Sequence, residues 1–213
     1  MPPDDDKEWR DLLVVAFHYP PDNTSTGVLR TAKFTEYLLR HKWHSRVVTV
    51  PERLYASRNP TETCDVPDGI SVERPWACDI KELVGIRGAY PGWLAVPDRY
   101  WPWLFTGYLA GARAVRRYRV DALYSTAPVP TAHLIGLLLK KRFGLPWVAD
   151  FRDPWVEDSM PRLRRWCEGK MERRVIESAD RVICNTPTMR RAFTAAYPSI
   201  PATKFSTITN GYD

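Results

Sequence analysis

Behind a polar, acidic amino terminus, residues 12–17 read Leu-Leu-Val-Val-Ala-Phe, an almost unbroken apolar run. A strand without polar alternation has no face to offer water, so it belongs inside a sheet covered on both sides. That requirement narrows the chain to folds in which helices flank a mostly parallel sheet.

The remaining sequence has the rhythm such a fold needs. Residues 28–41 place Val28, Ala32, Thr35 and Leu39 on one helical face. Residues 47–50 supply a second strand, completing a βαβ unit with a crossover of suitable length. Further strands are predicted at 70–74, 122–125, 147–151, 181–184 and 205–208, and helices at 101–118, 131–142, 162–178 and 187–196. The segment 51–69 reads as a long polar loop. The segment 78–100, broken by Gly85, Gly88, Pro91, Gly92 and Pro97, reads as irregular. In the 101–118 helix the expected apolar stripe is Trp101, Leu104, Phe105, Tyr108, Ala112 and Val115, with Arg113, Arg116 and Arg117 away from it. The 162–178 helix carries Leu163, Cys167, Met171 and Val175 at helical spacing. It also offers the i,i+4 pairs Arg164–Glu168 and Arg173–Glu177, worth only ~0.2–0.5 kcal/mol each. The fold class predicted is α/β, a doubly wound parallel sheet of Rossmann-like type, as one domain over 11–213 behind a polar tail at 1–10.

Composition narrows the setting. The longest apolar runs, such as 134–139, are too short to span a bilayer, and the acidic start lacks an apolar signal core, so a cytoplasmic location is expected. Cys64, Cys78, Cys167 and Cys184 form no CxxC pair and no ligand-like spacing with histidine, which argues for packed thiols over a disulfide framework or a zinc site. A net charge of +6 calls for an acidic counterpart, and nucleic acid, anionic lipid and phosphorylated substrates all satisfy charge alone.

In a doubly wound sheet, ligands bind outside the carboxyl ends of the strands. Four loops lie there. The first, His18-Tyr19-Pro20-Pro21-Asp22-Asn23-Thr24-Ser25-Thr26-Gly27, runs into a helix whose free N–H groups suit an anion; a simple Ser/Thr cap is the plainer reading. It is not a GxGxxG fingerprint. The second, Ser125-Thr126-Ala127-Pro128-Val129-Pro130-Thr131-Ala132-His133, offers Thr131 as a cap. It sets His133 in the first turn, either as an acid/base or phosphate contact or as a buried structural histidine. The third, Asp150-Phe151-Arg152-Asp153-Pro154-Trp155, brings two carboxylates and a guanidinium together. Arg152 suits a phosphate or carboxylate, and Asp150 or Asp153 can orient a hydroxyl or hold Arg152. Alternatively Asp153 caps a helix with Pro154 at N1. The fourth loop follows Cys184.

With these segments in order, the chain resembles the N-terminal domain of family-4-type glycosyltransferases of the GT-B fold. The likeness rests on residues 13–21 with Gly27, on Tyr124-Ser125-Thr126-Ala127-Pro128, on the run from Gly144 to Trp155, on 172–180, and on Asn210-Gly211-Tyr212-Asp213. It implies a polysaccharide-building enzyme in which this domain holds the acceptor and a second, C-terminal domain holds most of a sugar-nucleotide donor. The chain alone is then expected to be inactive. Carried over by position, Ser25, Thr26 and Gly27 approach the donor diphosphate, with His18 and Thr126 beside donor or acceptor. The resemblance implies a retaining, metal-independent reaction with no cofactor beyond the donor substrate. Where many relatives carry a histidine, this chain has Thr126 and Ala127, so His133 or the group Asp150, Arg152 and Asp153 would take the catalytic place. Aromatics and arginines over 87–119 suit either domain packing or a peripheral membrane contact with a lipid-linked acceptor, and no nucleic-acid partner is expected. Two other readings compete: a non-catalytic module for anions or membrane surfaces, and a GT-B nucleotide-sugar epimerase.

Overall fold

The apolar run behind the amino terminus is a strand, β1 (Arg10–Ala16), and every residue in it after Arg10 is buried. The computed structural model describes residues 8–23, 26–56, 66–85, 90–156 and 159–211; Ser25, Cys64, Tyr212, Asp213 and the side chain of Thr26 lie outside the described residues. From β1 the chain passes through α1 (Thr26–Leu39), β2 (Trp43–Val48), β3 (Ser71–Glu73) and a short α2 (Ile80–Val84). It continues through α3 (Trp103–Tyr118), β4 (Ala122–Thr126), α4 (Pro130–Phe143), β5 (Trp147–Phe151), α5 (Arg162–Ser178), β6 (Arg181–Cys184), α6 (Pro187–Ala196) and β7 (Phe205–Thr207). The strands form one sheet in the order β3-β2-β1-β4-β5-β6-β7, and each neighbouring pair is parallel. The order reverses between β1 and β4, which makes their carboxyl ends the crevice of the sheet.

Alternate residues of β1 serve two cores. Leu13 and Val15 join Leu123, Trp147, Ala149 and Val182 beneath the later helices. Leu12, Val14 and Ala16 join Val47, Tyr124 and Ile183, with Leu38 of α1 packed against them. Fully buried side chains of this size contribute ~1.5–3 kcal/mol each. Gly144 closes α4 in the left-handed region at φ 69°, with its N–H donated to the Lys140 carbonyl.

α3 buries Ala112 of the expected apolar stripe and packs Leu104, Tyr108 and Val115 against the core, but it leaves Phe105 exposed and turns a second, smaller set of residues inward. Trp103, Gly107, Ala110, Gly111 and Ala114 face inward, while Phe105 and Leu109 are exposed. The reason is proximity. A Cβ on Gly107 would lie 2.6 Å from Ile135 Cδ1, and one on Gly111 would lie 2.7 Å from Leu139 Cδ1. Small residues let α3 approach α4 and β1 more closely than its larger stripe allows. α5 keeps Val175 of its expected stripe buried and packs Met171 against the core, but it also buries Glu168, Glu172 and Ile176 and leaves Leu163 and Trp166 exposed.

Two expected caps are also replaced. Thr131 does not cap α4 with its own side chain. Asp98, from the segment before α3, accepts from both the Thr131 N–H (2.8 Å) and its hydroxyl (2.7 Å). No helix begins at Asp153 and Pro154; α5 starts at Arg162, so that capping reading fails.

Candidate functional site

Asp150, the fourth residue of β5, is wholly buried and anchors the switch point. Arg30 of α1 grips it with both ends of its guanidinium, Nη2 to Oδ1 at 2.9 Å and Nε to Oδ2 at 3.0 Å. Tyr124 and Thr126 of β4 donate their hydroxyls to Oδ2 at 2.6 and 2.9 Å. Arg30 also donates to the carbonyls of Ile208 (3.0 Å) and Thr209 (3.1 Å) and to Asn210 Oδ1 (3.2 Å). One ion pair therefore ties α1, β4, β5 and the segment after β7 together. Burial alone would lower the Arg30 pKa, but the hydrogen bonds and charge of Asp150 raise it instead. Asp150 is thus spoken for by Arg30 rather than by Arg152, and the Thr126 hydroxyl points into this network.

Arg152 goes to the other side of the same corner. Its guanidinium lies on Gly27 so closely that a Cβ there would sit 1.6 Å from Nη1. Glycine at the second residue of α1 is what lets the cation reach the helix N-terminus. Burial lowers the Arg152 pKa, and the charge of neighbouring Arg30 adds to this against Asp150. Arg152 thus sits at the α1 N-terminus beside the Arg30–Asp150 pair, with the charges of Asp150 and the exposed Asp153 acting on it. Such a corner favours an anion.

His18, in the loop after β1, is partly exposed and holds Asp22 through Nδ1 at 2.5 Å, with the Asp22 carboxylate buried. This carboxylate orients the imidazole at the mouth of the crevice.

His133 lies one layer below. It has no exposed surface, and its Nδ1 meets Ser125 Oγ at 2.7 Å, which in turn accepts from Trp147 Nε1 at 2.9 Å. Its ring stacks on Phe151 at 4.6 Å and Trp155 at 5.6 Å. Burial lowers its pKa from 6.5 to about 3, so the ring is neutral. Of the two readings open in the sequence, the geometry gives the buried supporting histidine, which fixes the floor beneath the loop after β5.

Beside the corner, a cleft of about 460 Å³ opens between the loops after β4 and β5, the start of α5 and residues 90–99. Asp98, Arg99, Asp153, Trp155, Arg164 and Glu168 supply its polar and aromatic walls. Arg164 Nε donates to the buried Glu168 at 2.6 Å. Glu172 holds the Trp155 N–H at 2.8 Å and the Tyr197 hydroxyl at 2.5 Å, which fixes the loop from beneath.

The structure therefore gathers Gly27, Asp150 and Arg152 into one corner, places Asp153 on the cleft and sets Thr126 behind them. Ser25 and the Thr26 side chain fall outside the described residues. Sequence reasoning missed Arg30, Asp22, Asp98, Arg99, Arg164 and Glu168. Arg164 and Glu168 were visible as a helical pair, but nothing along the chain ties Arg30 to a carboxylate 120 positions away.

A family model described as glycosyl transferase 4-like domain matches residues 26–211. No curated protein matches the sequence. Among solved structures, sucrose-phosphate synthase from Thermosynechococcus elongatus is similar with a TM-score of 0.67 and 14% identity, over 96% of this chain and 49% of that one. HepE of Anabaena, in complex with UDP-glucose, is similar at 0.56 and 14%, over 95% and 44%. UDP-N-acetylglucosamine 2-epimerase from Rickettsia bellii is similar at 0.56 and 12%, over 95% and 45%. The chain spans about half the length of these structures, and at such identities the likeness is one of fold.

Proposed function

The chain belongs to the glycosyl transferase 4-like family, and from that membership we propose that it is the acceptor-side domain of a retaining glycosyltransferase. The enzyme would move a sugar from a sugar nucleotide to a glycan or lipid-linked acceptor in polysaccharide or cell-envelope assembly, at the cytoplasmic face of the membrane. A donor-binding domain would complete it. The carrying observation is the cationic corner of Gly27 and Arg152 at the α1 N-terminus, set beside a cleft of about 460 Å³. A diphosphate suits the first and a polyhydroxylated acceptor suits the second. The UDP-glucose complex of HepE supports a sugar nucleotide as donor.

In this reading Arg152 and the α1 N–H groups hold the diphosphate, while the Arg30–Asp150 pair keeps α1 in place. The acceptor hydroxyl attacks the anomeric carbon as the bond to the phosphate oxygen breaks. Its proton passes to that departing oxygen on the same face. The protein contributes position and electrostatics, with no cofactor besides the donor. His18, oriented by Asp22, and Asp153, on the cleft wall, would contact acceptor hydroxyls in this reading.

The similarity to a 2-epimerase favours a second reading on the same fold. Titrating the complete gene product with UDP-glucose, with a screen of glycan and lipid-linked acceptors, separates them. Acceptor-dependent transfer with retained configuration supports the proposal. Interconversion of sugar nucleotides without acceptor would assign the epimerase. Salt-sensitive polyanion binding with no sugar-nucleotide affinity would assign a non-catalytic module.

A further inference from the structure

Four large apolar side chains stand in solvent on one side of the molecule: Trp93 (73% exposed), Phe105 (63%), Leu109 (55%) and Trp76 (54%). They are neighbours. Trp101 Nε1 donates to the Leu94 carbonyl at 2.8 Å, fixing the turn that bears Trp93, and its ring meets Phe105 at 6.5 Å. Phe105 and Leu109 lie one turn apart on α3, and Thr106 donates its hydroxyl to the Trp76 carbonyl, tying that residue to the same turn. Arg113 and Arg116 continue the outward stripe, and α3 contains no carboxylate. Arg113 is balanced by Glu73 at 2.6 Å. Arg116 and Arg117 rest on the rings of Phe143 and Tyr118, and among the described residues neither has a carboxylate partner.

α3 turns Trp103 and its small residues to the core, and Phe105, Leu109 and its arginines stand outside. Aromatics projecting beside uncompensated arginines match the headgroup region of an anionic bilayer. The patch also borders the cleft, because the Gly92–Ala95 turn carries Trp93 outward and Ala95 on the cleft wall. We propose that this face docks the protein on an anionic lipid surface, with Trp93, Phe105 and Leu109 among the headgroups and Arg116 and Arg117 against lipid phosphates. The inference deepens the acceptor-side reading, since a lipid-linked acceptor would then reach the cleft along the membrane.

The test is co-sedimentation of the complete protein with phosphatidylglycerol/phosphatidylethanolamine vesicles and with phosphatidylcholine vesicles, without sugar nucleotide. Its failure therefore leaves glycosyl transfer untouched, and failed transfer leaves it untouched. Binding is expected to the anionic vesicles and to weaken with salt. It should fall by about tenfold or more in the Phe105→Ser/Leu109→Ser variant and in Arg116→Glu/Arg117→Glu. All four positions are exposed, so unchanged circular dichroism melts would show that the fold survives. Wild-type protein left in the supernatant, or variants that bind equally well, would overturn the proposal. Self-association abolished by the same substitutions, with no vesicle binding, would assign the face to a second copy and overturn it as well.

Discussion

Asp150 receives two donors from Arg30 and one each from Tyr124 and Thr126, so its replacement acts on stability before chemistry. Asp150→Asn leaves the Arg30 guanidinium buried without its counter-charge, and a loss of about 3–5 kcal/mol is expected in urea unfolding. Replacing both partners with apolar residues, Arg30→Met with Asp150→Leu, should recover much of that loss. His133 makes a different prediction because its imidazole is kept neutral. Burial holds its pKa at about 3, against 6.5 for an exposed histidine. Between those values the unfolded chain binds a proton that the folded chain refuses. Its contribution to stability is complete above pH 6.5 and declines as the pH falls toward about 3, with a slope of up to ~1.4 kcal/mol per pH unit. His133→Gln removes that slope. The difference in unfolding midpoint between wild type and variant should shrink as the pH is lowered from neutrality, and a constant difference would contradict the neutral assignment.

At the scale of elements, α3 and α5 show that a helix need not bury all of its large apolar residues. α3 spends its small face on close contact: Gly107 abuts Ile135 of α4, and Gly111 abuts Leu139 of α4 and Leu13 of β1. Gly107→Leu and Gly111→Leu are expected to destabilise by about 1–3 kcal/mol through overpacking. Phe105→Ser, on the opposite face of the same helix, should stay within about 0.5 kcal/mol of wild type. Denaturant unfolding of the three variants checks both statements. α5 turns Glu172 inward, where it accepts the Trp155 N–H of the loop after β5, and Glu168 inward, where it accepts from Arg164 one turn earlier in the same helix. The helix supports a site at the expense of its own amphipathic pattern.

For the whole molecule, the sheet order puts the β1 and β4 carboxyl ends at a reversal, and the Arg30 network joins that reversal to the segment after β7. The cationic corner and the cleft open on this one side. In the proposed transferase the domain supplies half of a reacting pair, so the 213-residue chain is expected to release no UDP from UDP-glucose in a coupled assay. Addition of the donor-binding domain should restore turnover. Turnover by the chain alone would show that its own cleft binds and activates the donor.

Local pattern was sufficient wherever local interactions decide the outcome. The spans of β5, α5, β6 and α6 follow from apolar runs and turn residues, because backbone hydrogen bonding and burial act over a few residues. The parallel architecture, and the position of the loops after β1, β4 and β5 at the carboxyl edge of the sheet, follow from the same rhythm. The tertiary structure alone decided which helix face packs, since the gap between α3 and α4 depends on Ile135 and Leu139 meeting Gly107 and Gly111. It alone decided that Asp150 pairs with Arg30, that Arg152 rests on Gly27 and that Asp98 caps α4. Those contacts join residues far apart in the chain, and no spacing along the sequence encodes an encounter that exists only after the sheet has ordered its strands.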